Sequence, residues 1–260
     1  MKNGFSLVEL SIVLVILGLL TGGILAGQSL IRAAELRSVG TEYQRWQTGV
    51  NSFRDKYFGL PGDITNATRF WGRAVNAVHC VTNSAAAVDT ARGVCDGDGD
   101  GLIELGSGGS ASAELFAFWQ QLANAGLIEG AYDGLSGASN GYTTTATNSP
   151  KSKLSSGVWV AFTWNGTITS VASIFDGDYR EPYYYEMGGT IAGSTSETPL
   201  LKPEEMWNLD TKYDDGRPAY GIWRARYPLT CATAATTADL SAAYRLDSSA
   251  LACVPLITGK

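Results

Sequence analysis

The chain has one histidine, His79, and four cysteines, none of them in a Cys-x-x-Cys pair, among 260 residues. Each shortage removes a class of chemistry. A Cys–His couple would need a free thiol, and Cys80 beside His79 belongs to an even set suited to disulfides. A serine hydrolase would depend on the same histidine, and no nucleophile-elbow motif is present. There is no P-loop and no dinucleotide fingerprint, and the acidic residues single out no one pair for glycoside hydrolysis. The absent Cys-x-x-Cys spacing weakens zinc and thiol-redox readings. Positive charge is scarce as well. The net charge of −6, the pI near 4.9 and the lack of a Lys/Arg cluster argue against nucleic acid as a partner. The expectation is a protein that is not an enzyme.

Charge is missing altogether from one stretch. Between Lys2 and Arg32 the only charged residue is Glu9, and from Leu10 to Gly27 no charged or amide side chain interrupts the apolar run. That length suits a membrane-spanning helix, placed at about residues 8–28. A signal peptide would show a longer basic region and a small-x-small cleavage site, and neither is here. A carboxylate at the edge of such a run is costly to desolvate, so Glu9 needs a partner.

Gly4-Phe5-Ser6-Leu7-Val8-Glu9-Leu10 resembles the processing site of prepilins, the precursors of type IV pili and of type II secretion pseudopili. The resemblance covers only the N-terminus. It implies that residues 1–4 are a leader removed by prepilin peptidase after Gly4. Phe5 would become the new N-terminus and be methylated on its amine. Glu9 would be the glutamate that pairs with the Phe5 amine of a neighbouring subunit as the helices assemble. Partners would be other pilin or pseudopilin subunits and the inner-membrane assembly platform. The precursor would cross the inner membrane once, leader in the cytoplasm and head in the periplasm, before joining a periplasmic or extracellular filament. Many major pilins carry a proline where Ala26 stands here; this chain has instead Gly18, Gly22, Gly23 and Gly27, two of the spacings being GxxxG. That departure leaves open whether the subunit is a main or a minor one; the chain length, greater than that of the usual major pilin, leans toward a minor or specialised subunit.

Beyond the apolar run, Leu36, Val39, Tyr43, Trp46, Val50, Phe53 and Tyr57 recur at steps of three and four, one stripe of a helix. Arg32, Glu42, Arg45, Ser52 and Asp55 fall off the stripe and are expected to face water. One helix over residues 5–58 follows, apolar in its first half and amphipathic in its second, roughly 80 Å long at 1.5 Å per residue. A free coiled coil would show the same stripe, but docking on the head of residues 59–260 gives it a surface to bury. Gly59-Leu60-Pro61-Gly62-Asp63 ends the helix. The fold class is α+β, a long N-terminal helix packed on a small antiparallel sheet; the resemblance makes it pilin-like.

Within the head, Asp96, Asp98 and Asp100 alternate with glycines, as in the first half of a calcium loop. Leu102 would add a carbonyl, and Glu104 or Glu114 would close the shell, since Ser107 occupies the place of the usual bidentate glutamate. The plain alternative is a solvated Asp-Gly loop, but three adjacent acids repel one another without a cation, so Ca2+ is the expected cofactor. Asp210, Asp214 and Asp215 form a weaker cluster, better read as a helix-ending turn with salt bridges to Lys212 or Arg217. The four cysteines allow three connectivities; sequential pairing, Cys80–Cys95 and Cys231–Cys253, closes the shortest loops. Helices are expected over 110–125 and from Pro203. A hairpin is expected from Val158–Trp164 through Asn165-Gly166 to Thr167–Ile174, with further strands at Tyr183-Tyr184-Tyr185 and over 220–227.

Two functional classes remain. One is a structural filament subunit assembled through its helix. The other is a filament-tip or surface adhesin, a binding module with a calcium-stabilised head for a carbohydrate, cell surface or secreted protein.

Overall fold

The structure is a computed structural model describing residues 6–73, 93–104, 114–134, 147–154, 157–164, 166–191 and 196–259. The expectations for Gly4, Phe5, His79, Cys80, Ser107 and Asn165 fall outside these residues. Helix α1 (Leu7–Tyr57) runs unbroken for 51 residues. Ser6 caps it: its Oγ accepts from Val8 N at 3.2 Å while Glu9 Oε2 accepts from Ser6 N at 2.8 Å. No proline precedes Pro61, so nothing interrupts the ladder. Phe58 then turns left-handed, with φ 58°, and Pro61 and Gly62 carry the chain back.

The stripe on the second half of α1 packs as expected. Val39, Val50 and Phe53 are fully buried and Trp46 nearly so. Tyr43 meets Tyr185 and Trp223 edge-on at 5.8 and 5.5 Å, and Trp46 meets Trp119 at 5.4 Å. Such ring pairs each add about 0.5–1.5 kcal/mol to the area they bury. Gly40 is required by close approach, since a Cβ there would overlap the Tyr213 ring.

Glu42 does not face water, contrary to its place off the stripe. It is buried, and its carboxylate accepts from Ser152 Oγ at 2.7 Å, Lys153 N at 2.8 Å and Trp159 Nε1 at 2.7 Å. Three donors from the head replace the water this group would otherwise keep. Arg32, nearer the apolar half, is also engaged. Its guanidinium grips Glu205 through Nε and Nη2 at 2.7 Å each and reaches Leu200 O at 2.8 Å.

The main sheet is antiparallel in the order β1 (Gly157–Phe162), β4 (Tyr184–Gly189), β6 (Pro255–Thr258), β5 (Trp223–Ala225). β2 (Gly166–Ile168) and β3 (Gly177–Tyr179) form a separate ribbon. The expected hairpin between residues 158–164 and 167–174 is therefore not formed. β1 is buried at all six positions and pairs instead with β4, also buried throughout, with Trp159 opposite Met187 and Ala161 opposite Tyr185. A strand covered on both faces needs a partner that can be covered too. The Thr/Ser-rich stretch after Gly166 lacks the side chains for that, whereas the tyrosine run supplies them.

α2 (Ala67–Trp71), α3 (Glu114–Asn124), α4 (Pro203–Tyr213) and α5 (Pro228–Cys231) complete the head. α3 places Phe118 and Trp119 against Tyr185, and Phe118 also meets Tyr183. Cys231 and Cys253 are disulfide-bonded, tying α5 to the segment leading into β6. Cys95 is disulfide-bonded as well.

Replacing Glu42 by Ala strands three buried donors, so Glu42→Ala should lower unfolding free energy by about 2–4 kcal/mol, with Glu42→Gln in between. Urea denaturation of the three proteins in the same non-denaturing detergent checks the order.

Candidate functional site

The first half of α1 has no covering surface in its own chain. Leu7 is 86 %, Leu19 73 % and Leu30 71 % exposed, and none of the most apolar 18-residue window is buried. Fully burying such a side chain is worth about 1.5–3 kcal/mol, so leaving this stretch in water is costly. The helix is long and apolar enough to cross a membrane. At its start Glu9 uses one carboxylate oxygen to hold Ser6 N, leaving Oε1 without a partner among the described residues.

At the other end of α1 lies the acidic loop. Gly97 sits against the backbone of Asp63, where a Cβ would overlap it, and Gly97 N donates to Ile64 O at 2.9 Å. Gly99 and Gly101 adopt φ 82° and 87°, conformations suited to glycine. Their N–H groups donate to Asp63 Oδ1 at 2.8 Å and Oδ2 at 3.1 Å. The curl brings carboxylate oxygens of Asp63, Asp98 and Asp100 within 4.8 Å of one another. Of the expected ligands, Asp98 and Asp100 are thus together, and Asp96 is elsewhere. Its two oxygens accept from Thr68 N and Thr68 Oγ1, both at 2.8 Å, in the first turn of α2. Leu102 N donates to Asp100 Oδ1 at 2.9 Å, and Glu104 N to Glu114 Oε2 at 3.1 Å. The Glu104 carboxylate is not in the three-acid group.

Burial, foremost, raises the Asp63 carboxyl against the two glycine N–H groups, with Asp100 and Asp98 adding to the rise. Glu104 is raised by burial and then by Asp100, Asp98 and Asp63. Buried Glu114, which also accepts from Asp98 N at 3.2 Å, is pushed up to about 8, chiefly by desolvation. None of these five acids is paired with Lys or Arg among the described residues. Asp63 has no local sequence signal, because it stands outside the Asp-Gly alternation and only the return of the chain past α1 adds it.

Residues 1–25 match the family model described as the prokaryotic N-terminal methylation motif. The chain carries the signature of type IV pilins and pseudopilins. No curated protein and no solved structure matches it. The pilin motif points to a structural subunit, and it implies processing by prepilin peptidase and assembly with other pilin subunits. With the bare apolar helix behind it, it fits a membrane-anchored precursor.

The second acidic cluster of this pilin-like head serves the fold. Asp210 Oδ2 accepts from Tyr244 Oη at 2.7 Å and Oδ1 from Gly216 N at 3.0 Å. Asp214 accepts from Ile222 N and Trp223 N, and Asp215 from Arg217 N. These are turn caps, in place of the expected salt bridges to Lys212 or Arg217.

Burial first, then Asp215 and Asp214, push Asp210 up to about 7 despite the hydrogen bonds from Tyr244 and Gly216. Above its ordinary value of 3.8 the unfolded chain releases a proton that the folded head retains, so stability falls as pH rises from there to about 7. Glu114 acts in the same direction. Asp210→Asn should flatten this decline without abolishing it, as read from urea midpoints at pH 5 and pH 7.5 on wild type and variant.

Proposed function

We propose that the chain is a minor or specialised subunit of a type IV pilus-like or type II secretion filament. Prepilin peptidase cuts after Gly4, the Phe5 amine is freed and methylated, and the subunit waits in the inner membrane with its head in the periplasm. The assembly platform then lifts it out of the bilayer, and α1 exchanges lipid for neighbouring helices. During that transfer Glu9 pairs with the Phe5 amine of the adjacent subunit, fixing the axial register. One observation carries this reading: an unbroken helix capped by Ser6 starts within the motif, and none of its most apolar window is buried against its own head.

The head binds Ca2+ at Asp63, Asp98 and Asp100, with the Asp96–Glu104 loop folded around it. All the donors are hard oxygens, as calcium requires, and carboxylates within 4.8 Å of one another suit a shared ion with ligands at about 2.3–2.6 Å. The ion would neutralise acids that have no other cation nearby. It would thereby hold the loop against the end of α1.

Intact-mass spectrometry should find a mature chain beginning at Phe5 with one methyl group; a chain still starting at Met1 in cells that contain the peptidase overturns the reading. Glu9→Ala should sharply reduce incorporation into filaments, because it strands a buried amine at about 3–5 kcal/mol. Millimolar Ca2+ should raise the melting temperature of the wild type, EDTA should reverse that, and Asp63→Asn or Asp98→Asn should abolish it. Asp96→Asn should keep the calcium-induced shift; its loss there would return Asp96 to the ligand set.

A further inference from the structure

Beside the acidic loop, a cleft of about 920 Å³ opens at the C-terminal end of α1, within the size range of ligand sites. Arg32, near the apolar run, and Phe58, at the cleft, are separated by 26 residues of helix, roughly 39 Å at 1.5 Å per residue. With α1 as the membrane or filament stem, the cleft lies on the far pole of the head, away from lipid.

Phe58 forms part of its wall and is doubly anomalous. It is 93 % exposed, and it holds a left-handed backbone, φ 58°, that a bulky side chain seldom adopts. No other ring pairs with it among the described residues, while the adjacent Tyr57 is packed against Phe53, Phe70 and Trp71. The left-handed turn caps α1, Phe58 N donating to Arg54 O at 2.9 Å, but the ring itself is left uncovered among the described residues.

Around Phe58 the lining is polar and unspent. The side chains of Arg54, Asp55, Thr65 and Asn66 make no hydrogen bond or ion pair among the described residues, although Arg54 and Asp55 are neighbours in sequence. Donors and acceptors of both signs beside a bare ring match a ligand with one apolar C–H face and a rim of hydroxyls. A flat apolar protein contact would need neither the concavity nor the free polar groups. With Asp63, Asp98 and Asp100 shared by the proposed ion, the wall is left with the opposite charges of Arg54 and Asp55, which favour a ligand of neither sign.

We propose that this cleft binds a neutral oligosaccharide, one sugar face stacking on Phe58 and its hydroxyls bonding to Arg54, Asp55 and Asn66. The inference rests on the stem reading of α1 only for the outward position of the cleft. Binding itself needs no filament.

The test uses the full-length chain in phosphatidylcholine nanodiscs, since sugar-based detergents would compete, applied to an array of neutral, sialylated and sulfated glycans. Neutral hexose or N-acetylhexosamine oligosaccharides should be retained and the anionic ones should not. Calorimetric titration with the best neutral glycan should then show Phe58→Ala and Asp55→Ala weakened by about tenfold or more, a hot-spot effect, with melting temperatures unchanged and Phe58→Trp retaining affinity. Retention of no neutral glycan, retention of anionic glycans alone, or affinities of Phe58→Ala and Asp55→Ala within about twofold of wild type (tenfold being 1.4 kcal/mol) would each overturn the proposal. Filament incorporation and calcium-induced stabilisation are separate measurements, so their failure is not confused with this one.

Discussion

Helix α1 has to satisfy two surroundings at once. Its first half offers leucine, isoleucine and valine on all sides, while its second half buries Val39, Trp46, Val50 and Phe53 in the head. Because the helix is unbroken, the orientation of that buried stripe fixes how the head sits on the stem. Glu42 sets the rotation further. A carboxylate held by Ser152, Lys153 and Trp159 tolerates little turning of the helix before donors and acceptor separate. Hydrophobic burial supplies most of the adhesion there, and the polar cage supplies the angle.

Arg226 and Arg32 are engaged in the same way as Glu42. Arg226, almost entirely buried, lies 2.5 Å from Glu186 and 3.4 Å from Glu197, and it reaches Ser173. Such a pair adds little net stability, but removing one member leaves the other uncompensated. Arg32 and Glu205 do comparable work where α4 meets α1. Burial opposes the Glu205 charge, yet the bonds from Arg32 and Lys202 N prevail and hold its carboxyl below the usual range. The acidic loop is the exception, with five carboxylates and no basic partner among the described residues.

The stem was legible in the sequence because its signals are local and mutually consistent. Continuous apolar character, then a three-four stripe, then Gly-Leu-Pro-Gly gave the helix and its end at Tyr57. The tyrosine run and the Pro203 helix were readable for the same reason. What escaped depends on contacts distant in sequence. Glu42 lies off the stripe by helical phase, and only the return of residues 152–159 to that side buries it. Asn-Gly between two β-prone stretches is a sound hairpin signal, but the full burial of β1 outweighed it. Asp63 joins the acid cluster through tertiary approach, whereas Asp96, in perfect alternation with its neighbours, is drawn away by Thr68. Of the carboxylates that spacing put together, Asp98 and Asp100 share a group with Asp63, while Asp96 and Glu104 lie outside it.

The position of β6 bears on biosynthesis. Pro255–Thr258 lies between β4 and β5 and hydrogen-bonds to both. A ribosome emits β1, β4 and β5 before the strand that joins them, and until residue 258 is in place β5 has no neighbour in the sheet. Helix α1 is therefore made while the head is still open, with Tyr184, Tyr185 and Trp223 not yet covered. Closure of the Cys231–Cys253 link before β6 docks would hold that late strand near its slot. The timing of that oxidation would then set how long the newborn chain keeps its core open to proteases.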